Sequence, residues 1–343
     1  MSPARKNEDT QNDGTVPARS YDLFGHDLSV SRAAEAIRSG RPPQAWLISG
    51  PPGIGKATLA YRLARYLLRY CATADGPTDL LVPPNDVVSR QIEAGAHPGL
   101  LVLERRLDDK GKLPTVLKVE EVRRLGGFFG MTSGAGGWRV AIVDSADDLN
   151  DNGANALLKI LEEPPARSIL FLIAHAPGRL LPTIRSRTRR LDLRPLDETA
   201  MTATLARLLP DISADERARL AALSEGSPGL AVHLAQEDGL ALARDADTLL
   251  SAKGAPDIGA IMQLAERVAR TSDGISRFGA LLVQGLERRI RDRAAAGEPG
   301  LERWTEFWER TRSDYARADG LHLEPRQTVL SSAFAHSRLQ RKP

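Results

Sequence analysis

Residues 45–58 read AWLISGPPGIGKAT and join an apolar run to a glycine-rich turn and a lysine. The apolar run at the start is typical of a buried strand in a parallel sheet. From Lys56 onward apolar residues recur at helical spacing, so a helix is predicted to follow the turn directly. Glycines let such a turn wrap closely around phosphate groups, and this turn contains Gly50, Gly53 and Gly55. The stretch therefore predicts a phosphate-binding loop, with the positive end of the helix dipole favouring the anion.

Lys56 is the residue expected to reach the β- and γ-phosphates of a bound nucleotide. A hydrolytic loop of this pattern has Ser or Thr next, because that hydroxyl holds Mg²⁺. Here Ala57 follows, and Thr58 stands one place further on. One residue along a helix is a rotation of about 100°, so Thr58 does not point where that hydroxyl belongs unless the loop shifts. The sequence predicts nucleotide contacts through the backbone and Lys56, with impaired metal positioning.

The rest of the first half alternates strand-like and helix-like segments. Apolar runs at 99–104, 140–144 and 168–174 predict three further buried strands. A short helix is predicted over 154–163, where Pro164 and Pro165 stop it. Short apolar runs that alternate with helices predict an α/β domain whose parallel sheet is covered on both faces.

The third strand ends in Asp144, which is placed to contact Mg²⁺ directly or through water. A hydrolytic ATPase of this pattern usually has Glu next, and that carboxylate activates the attacking water. Ser145 stands there instead and has no charge with which to polarise water. Asp147 is expected to cap or solvate the next helix. The missing metal-binding hydroxyl and the missing base both predict a large loss in the rate of ATP hydrolysis, because phosphoryl transfer depends on positioned charge.

Composition restricts the remaining classes. The 343 residues carry a net charge of +3, which permits an anionic partner without arguing for one. Cys71 is the only cysteine, so neither a disulfide within the chain nor a cysteine-rich zinc site is expected. Residues 1–20 are predicted to be a disordered tail whose removal leaves stability unchanged. No apolar run is long enough to cross a bilayer, so we expect a cytoplasmic protein without membrane contact.

After about residue 195 the strand signals end and amphipathic helices rich in Ala, Leu and Arg follow. Near the C-terminus large apolar residues recur at helical spacing. We expect this face to pack into a core rather than to stack on nucleic-acid bases; its members are Leu301, Trp304, Phe307, Trp308 and Tyr315.

Four segments in the order GPPGIGK, IVDSADDLN, NALLKILEEPP and TIRSRTRRL closely resemble the clamp-loader branch of the AAA+ ATPases. The most specific of them is NALLKILEEPP, residues 155–165. The resemblance covers about residues 21–235. It implies an AAA+ P-loop domain over 21–195 with a parallel sheet and flanking helices, a small helical lid over 196–237, and an all-α collar domain for oligomerisation over 238–343.

Departures from the branch's pattern imply a member that does not hydrolyse ATP. Besides Ala57 and Ser145, Gly229 stands where active members have the sensor 2 Arg, and His175 stands where sensor 1 has Thr or Asn. We interpret His175 as part of a polar turn rather than as a catalytic residue. The resemblance implies ATP or ADP as the nucleotide, weakly bound or not hydrolysed. The branch carries a four-cysteine zinc module, but its counterpart here, about 71–98, holds only Cys71. We therefore expect the insertion to persist without its zinc site, and no bound metal.

One family feature is retained: SRT at 186–188 matches the branch's SRC signature apart from Thr188. The resemblance implies that Arg187 enters the ATP site of a neighbouring subunit and acts there in trans, as an arginine finger that stabilises transition-state charge. The other arginines nearby are expected to form a solvated basic edge; they are Arg185, Arg189, Arg190 and Arg194.

The implied role is that of a stator in a pentamer that loads the ring-shaped sliding clamp on primed DNA during DNA replication. Its implied neighbours are the gamma/tau and delta subunits of the DNA polymerase III clamp loader. The chain is then a component of a DNA-directed DNA polymerase holoenzyme without catalysis of its own. Two alternatives stay open: an autonomous gamma/tau-like or helicase-loader-like ATPase, and a nucleotide-independent DNA-binding protein, which requires strong salt-dependent binding to DNA.

Overall fold

A computed structural model defines two compact units, residues 1–230 and residues 231–343. Within them the structure describes residues 16–73, 75–105, 117, 119–130, 137–236, 239–252, 254, 257–271, 274–321 and 323–341. Of the predicted tail, residues 1–15 lie outside this part of the chain. The three-part division at residues 195 and 237 stays a prediction.

The first unit is built around a parallel five-stranded sheet. Its order is β2-β3-β4-β1-β5, and every neighbouring pair of strands is parallel. The strands are β1 (Ala45–Ser49), β2 (Leu100–Glu104), β3 (Arg139–Asp144), β4 (Ser168–Ala174) and β5 (Arg189–Asp192). The predicted α/β fold class with a parallel sheet is confirmed.

Helices cover both faces of this sheet. The helices of the first half are α1 (Asp27–Arg38), α2 (Lys56–Tyr70), α3 (Val87–Glu93), α4 (Val119–Gly130), α5 (Asp151–Glu162) and α6 (Pro182–Ser186). They are followed by α7 (Glu198–Leu208), α8 (Ala214–Leu223) and α9 (Pro228–Ala235). Short 3₁₀ turns lie at Pro17–Arg19, Ala146–Asp148 and Pro177–Arg179.

The strand β1 shows why two helical layers are needed. Trp46 and Ile48 pack in one apolar cluster with α1 and α2, whereas Ala45 and Leu47 pack in another with α4, α5 and α6. Successive side chains of a strand point to opposite faces, so an all-apolar strand needs cover on both sides. All residues of β1 and β4 are buried.

The predicted strands 45–49 and 168–174 coincide with β1 and β4, and the other two predicted strands differ from β2 and β3 by one residue at the start. The strand β5 was not predicted. Its sequence RRLD contains one buried residue, Leu191, so it lacks the apolar run that identified the other strands. An edge strand has only one neighbouring strand and tolerates this polarity.

The second unit consists of helices within the described residues: α10 (Gly239–Ser251), α11 (Ile258–Arg270), α12 (Gly274–Ala295), α13 (Leu301–Leu321) and α14 (Pro325–Arg341). The predicted packing of the aromatic face is confirmed for Trp304, Phe307 and Tyr315, which are buried. Tyr315 lies against Gly279 of α12, where a Cβ atom would come within 2.6 Å of the tyrosine ring. Among the described residues, no helix combines the length and the apolarity needed to cross a membrane.

The N-terminal segment of the described chain is held against α2 by Arg65. Its guanidinium is buried, with 1% of the residue exposed, and burial lowers its pKa. It donates to the carbonyl oxygens of Ala18 and Ser20 and lies 4.2 Å from the centre of the Tyr21 ring. Ala18 and Ser20 therefore supply acceptors to a buried cation, although the sequence analysis placed both residues in a disordered tail.

These contacts change the expected result of truncation. Removing residues 1–20 takes away two acceptors of Arg65 and is expected to lower the free energy of unfolding by about 1–3 kcal/mol, the cost of unpaired buried donors. Removing residues 1–15 leaves both acceptors in place and is the matched control. Urea unfolding of both truncated proteins measures the difference; equal transition midpoints would show that the Arg65 contacts are unimportant.

Candidate functional site

The phosphate loop connects the carboxyl end of β1 to the N-terminus of α2, as the sequence predicts. Gly50, Gly53 and Gly55 all have positive φ angles, of 148°, 73° and 99°. At Gly50 a side chain is also excluded by space, because a Cβ atom would overlap the carbonyl oxygen of Leu193. The carboxyl edge of a parallel sheet is where ligands bind in open α/β folds.

The amine of Lys56 is held by the loop itself. Its Nζ atom donates to the carbonyl oxygens of Gly50 at 2.7 Å and Pro51 at 2.6 Å, and the residue is 4% exposed. Burial lowers the pKa of Lys56 to about 8, although Asp144 and Asp147 act in the opposite direction. These two bonds use two of the three N–H donors of the ammonium group and leave one for a phosphate.

The position after Lys56 lacks the metal-binding hydroxyl. The helix α2 is regular from Lys56 onward, so the side chains of Ala57 and Thr58 leave it about 100° apart. Ala57 packs against the apolar cluster beneath α2. The described residues therefore do not fit the Mg²⁺ coordination of a hydrolytic phosphate loop.

The carboxyl ends of β3 and β4 meet in a polar cluster beside the loop. The Ser145 hydroxyl lies 3.2 Å from Asp144 Oδ1 and 3.2 Å from His175 Nδ1. Asp147 Oδ2 accepts from the backbone N–H groups of His175 at 3.1 Å and Ala176 at 2.7 Å. The expectation that Asp147 caps the next helix is wrong, because Asn150 caps α5 and Asp147 joins the two strand ends instead.

Two carboxyl groups of this cluster have shifted pKa values. Burial raises the pKa of Asp144, although His175, Ser145 and Lys56 oppose the shift. For Asp147, burial alone raises the pKa, but hydrogen bonds from His175 and Ala176 outweigh it and hold the pKa below its ordinary value. A low pKa keeps Asp147 ionised as a structural acceptor, whereas Ser145 contributes no charge at the position of the catalytic base.

Residues that follow α8 contact the phosphate loop directly. Ser227 Oγ donates to the Pro52 carbonyl oxygen at 2.9 Å, and the Gly229 N–H donates to the Gly53 carbonyl oxygen at 2.8 Å. A Cβ atom on Gly229 would lie 2.8 Å from that oxygen and 2.9 Å from Gly53 Cα. Where active members have a sensor 2 Arg, this chain thus has a glycine in backbone contact with the loop.

Arg187 lies at the opposite edge of the sheet from this loop. It follows α6 directly and precedes β5, where Arg189 pairs with Trp46 near the start of β1. Its Nη2 atom forms an ion pair with Glu162 at 3.1 Å, its Nη1 atom donates to the Thr183 carbonyl oxygen at 3.2 Å, and 39% of its side chain is exposed. The structure therefore does not bring Arg187 together with Lys56 and Asp144.

The segment 71–98, which the resemblance aligns with the zinc module, is folded where the structure describes it. Leu80 and Val82 are buried in the cluster beneath α2, Asp86 caps α3, and Cys71 is exposed. In the described part of the chain no group of three or more His, Cys, Asp or Glu side chains is arranged to hold a metal ion. The absence of zinc stays a prediction.

Comparisons with known proteins agree with the motifs quoted from the sequence. The family model described as DNA polymerase III, delta subunit, matches residues 25–197. This segment includes the phosphate loop, Asp144 and Arg187.

Curated relatives match about the same part of the chain. The DNA polymerase III subunit delta-prime of Pseudomonas aeruginosa is 40% identical over 184 residues, which are 54% of this chain and 53% of that protein. The delta-prime subunit of Escherichia coli is 38% identical over 205 residues, or 59% and 58%. The gamma/tau subunit of Mycobacterium tuberculosis is 34% identical over 206 residues, or 56% and 31%. The chain thus spans little more than half the length of the delta-prime relatives.

Similarity to solved structures is weaker. A DNA polymerase III gamma subunit-related protein of Thermotoga maritima superposes with a TM-score of 0.42 at 18% identity, covering 92% of this chain and 100% of that one. A TM-score this low supports no functional conclusion.

The contact between Gly229 and Gly53 predicts a loss of stability on substitution. Gly229→Ala is expected to destabilise the loop by about 1–3 kcal/mol, because the added methyl group overlaps backbone that cannot move cheaply. Gly178→Ala is the control, since nothing lies within 4 Å of the methyl group there. Hydrogen exchange of peptides containing residues 50–55 measures the effect; unchanged protection in Gly229→Ala would argue against the contact.

The lowered pKa of Lys56 predicts a dependence of stability on pH. An unfolded lysine has a pKa of about 10.4, and the folded one has a pKa of about 8. Between these values the unfolded state binds more protons, so stability rises with pH. Between these two pH values, the free energy of unfolding of the wild type should therefore rise with pH relative to that of Lys56→Met. At lower pH, the difference between the two proteins should not change with pH.

Urea unfolding at several pH values checks this expectation. Lys159→Met, the same substitution at an exposed lysine of α5, controls for the general effect of removing a lysine. A wild-type curve parallel to that of Lys56→Met throughout would contradict the burial of a charged amine.

Proposed function

The chain belongs to the DNA polymerase III, delta subunit family, and from this membership we propose that it acts as the delta-prime subunit of a clamp loader. In this role it is a stator that does not hydrolyse ATP. It helps to place the sliding clamp on primed DNA during replication, and it supplies Arg187 as an arginine finger to a neighbouring ATPase subunit.

The assignment to delta-prime rather than gamma/tau depends on a few residues. Both kinds of subunit match the chain, at 38–40% and 34% identity for the relatives described above. Ala57, Ser145 and Gly229 each lack a group that ATP hydrolysis needs. The backbone contact of Gly229 with Gly53 supports the same assignment, because it puts the lid against the loop where an active member carries a cation.

One observation carries the proposal of a finger in trans: Arg187 and the phosphate loop lie at opposite edges of one sheet. The strand β1 rises about 3.3 Å per residue, so its two ends are about 13 Å apart. The loop follows the carboxyl end of β1, whereas Arg189 pairs with Trp46 near its start. Arg187 is too far from its own loop to stabilise charge there, and its exposed guanidinium is available to another subunit.

Nucleotide at this chain's own loop has a minor role in the proposal. Three loop glycines with positive φ and the N-terminus of α2 suit a phosphate group. The amine of Lys56 is already bonded to Gly50 and Pro51, and the metal-binding hydroxyl is missing. Any ATP or ADP held by this loop is expected to bind weakly and to stay unhydrolysed.

The proposed partners follow from the same role. Gamma/tau receives Arg187 on one side, and delta is the neighbour on the other. The sliding clamp and primed DNA are reached through the assembled complex. We propose the collar over 238–343 as the oligomerisation domain, residues 196–237 as the lid and the cytoplasm as the location.

A second candidate is an active gamma/tau-like ATPase. The gamma/tau match, together with the retained Lys56 and Asp144, favours it. The two candidates differ in what the isolated chain does with ATP.

The isolated full-length chain is therefore expected to release no phosphate from ATP above background in the presence of Mg²⁺, because both the metal ligand and the base are missing. A phosphate-release assay measures this directly. ATP turnover by the isolated chain that is abolished by Lys56→Ala would establish the second candidate and contradict the first.

Arg187→Ala is expected to leave the chain folded and to depress the ATPase rate of the loader reconstituted with gamma/tau and delta. Fingers of this class account for about three to five orders of magnitude in rate, so a loss of at least about tenfold is expected. Arg190→Ala, an exposed arginine paired with Asp192, is the matched control. Wild-type turnover by the Arg187→Ala assembly would refute the finger.

A further inference from the structure

The carboxylate of Glu162 is the recorded ionic partner of Arg187. Glu162 is the last residue of α5 and belongs to the LEEPP segment, whereas Arg187 follows α6. The Nη2 and Oε1 atoms are 3.1 Å apart, and about half of the Glu162 side chain is exposed. An exposed pair of this kind contributes little to stability, about 0–1 kcal/mol. Its effect is on the direction in which the guanidinium points.

The position of Glu162 is unfavourable for the helix that carries it. The C-terminal end of a helix carries a partial negative charge, so a carboxylate there is repelled. Here two stand together, Glu162 as the last residue of α5 and Glu163 as its C-cap. A carboxylate that destabilises the end of its own helix indicates a role outside the helix. The contact with Arg187 supplies that role for Glu162.

Packing alone does not hold the Arg187 side chain. It lines a cavity of about 180 Å³ together with Ile160, Leu161 and Pro164. The arginine therefore borders open volume as well as its neighbours. The Glu162 carboxylate and the Thr183 carbonyl oxygen both bind its guanidinium.

We propose that Glu162 is the positioning residue of the arginine finger: its carboxylate and the Thr183 carbonyl oxygen fix two edges of the Arg187 guanidinium and direct its remaining N–H groups toward the neighbouring subunit's phosphates. This inference rests on the proposed function of Arg187. A guanidinium has five N–H donors in a planar fork, so two contacts leave donors for a phosphate. A finger that is already oriented lowers the barrier more than one that must be ordered during the reaction.

The test uses the loader reconstituted with gamma/tau and delta and follows kcat and KM for ATP. Glu162→Ala is expected to lower kcat about threefold to tenfold, since misplacing a catalytic group by a fraction of an ångström has effects of this order. KM is expected to change less than about twofold, because the finger acts on the transition state. Glu162→Gln keeps a neutral hydrogen-bond acceptor and should fall between Glu162→Ala and the wild type. Glu163→Gln is the matched control and should behave as the wild type.

A double variant separates positioning from any other role of Glu162. If Glu162 acts only through Arg187, Glu162→Ala/Arg187→Ala has the same kcat as Arg187→Ala alone. A further loss in the double variant, or a wild-type kcat in Glu162→Ala, would overturn the inference while leaving the finger intact. Wild-type turnover in Arg187→Ala would instead refute the proposed function.

A measurement on the isolated full-length chain tests the contact itself. The ¹⁵N-edited NMR signal of the Arg187 Nε–H group is identified by its loss in Arg187→Ala. Glu162→Gln is expected to shift this signal and to increase its fast motion, whereas Glu163→Gln leaves it in place. A signal that is indifferent to Glu162→Gln would show that the pair does not form in solution and would overturn the inference without reference to ATPase activity.

Discussion

The parallel pairing of β1 with its two neighbours fixes both ends of the site. At the carboxyl end, the Gly50 N–H donates to the Ala174 carbonyl oxygen at 3.3 Å, and the Leu193 N–H donates to the Ser49 carbonyl oxygen at 2.8 Å. The phosphate loop therefore begins from a point bonded on both sides. At the other end, the pairing of β5 with β1 sets the location of Arg187. A sheet that is buried on both faces cannot slip in register without exposing its apolar residues, so the separation of the phosphate loop from Arg187 is built into the fold.

The carbonyl oxygens of Gly50, Pro51, Pro52 and Gly53 in the phosphate loop all accept hydrogen bonds from within the chain. In a hydrolytic loop, Lys and the helix N-terminus present unmet positive charge to a phosphate. Here the Lys56 amine donates to two carbonyl oxygens of the loop, and burial lowers its pKa to about 8. Ser227 and Gly229 engage the loop from the other side. These contacts form within the chain and need no anion to complete them.

More of the fold than of the site could be predicted from the sequence. Apolar runs marked β1 and β4 with correct bounds, because both strands are buried on both faces and every residue in them is selected for that. The strand β5 gave no such signal, since only Leu191 is buried. The glycines of the loop marked its turn, but contacts between residues distant in sequence, such as Gly229 with Gly53, have no local pattern. The sequence marks Glu162 only as a carboxylate at the C-terminal end of a helix, where the helix dipole is unfavourable to it.

The identity between this chain and known subunits reflects the fold more than it reflects the site. A packed α/β core accepts many apolar residues at each position, so delta-prime and gamma/tau subunits both align with this chain at more than 30% identity. Hydrolysis, in contrast, requires one hydroxyl, one carboxylate and one guanidinium at fixed points, and removing a single one costs orders of magnitude in rate. The proposed assignment therefore depends on three positions out of 343, which are Ala57, Ser145 and Gly229. An overall identity score averages over these positions, although each of them decides whether a group that hydrolysis needs is present.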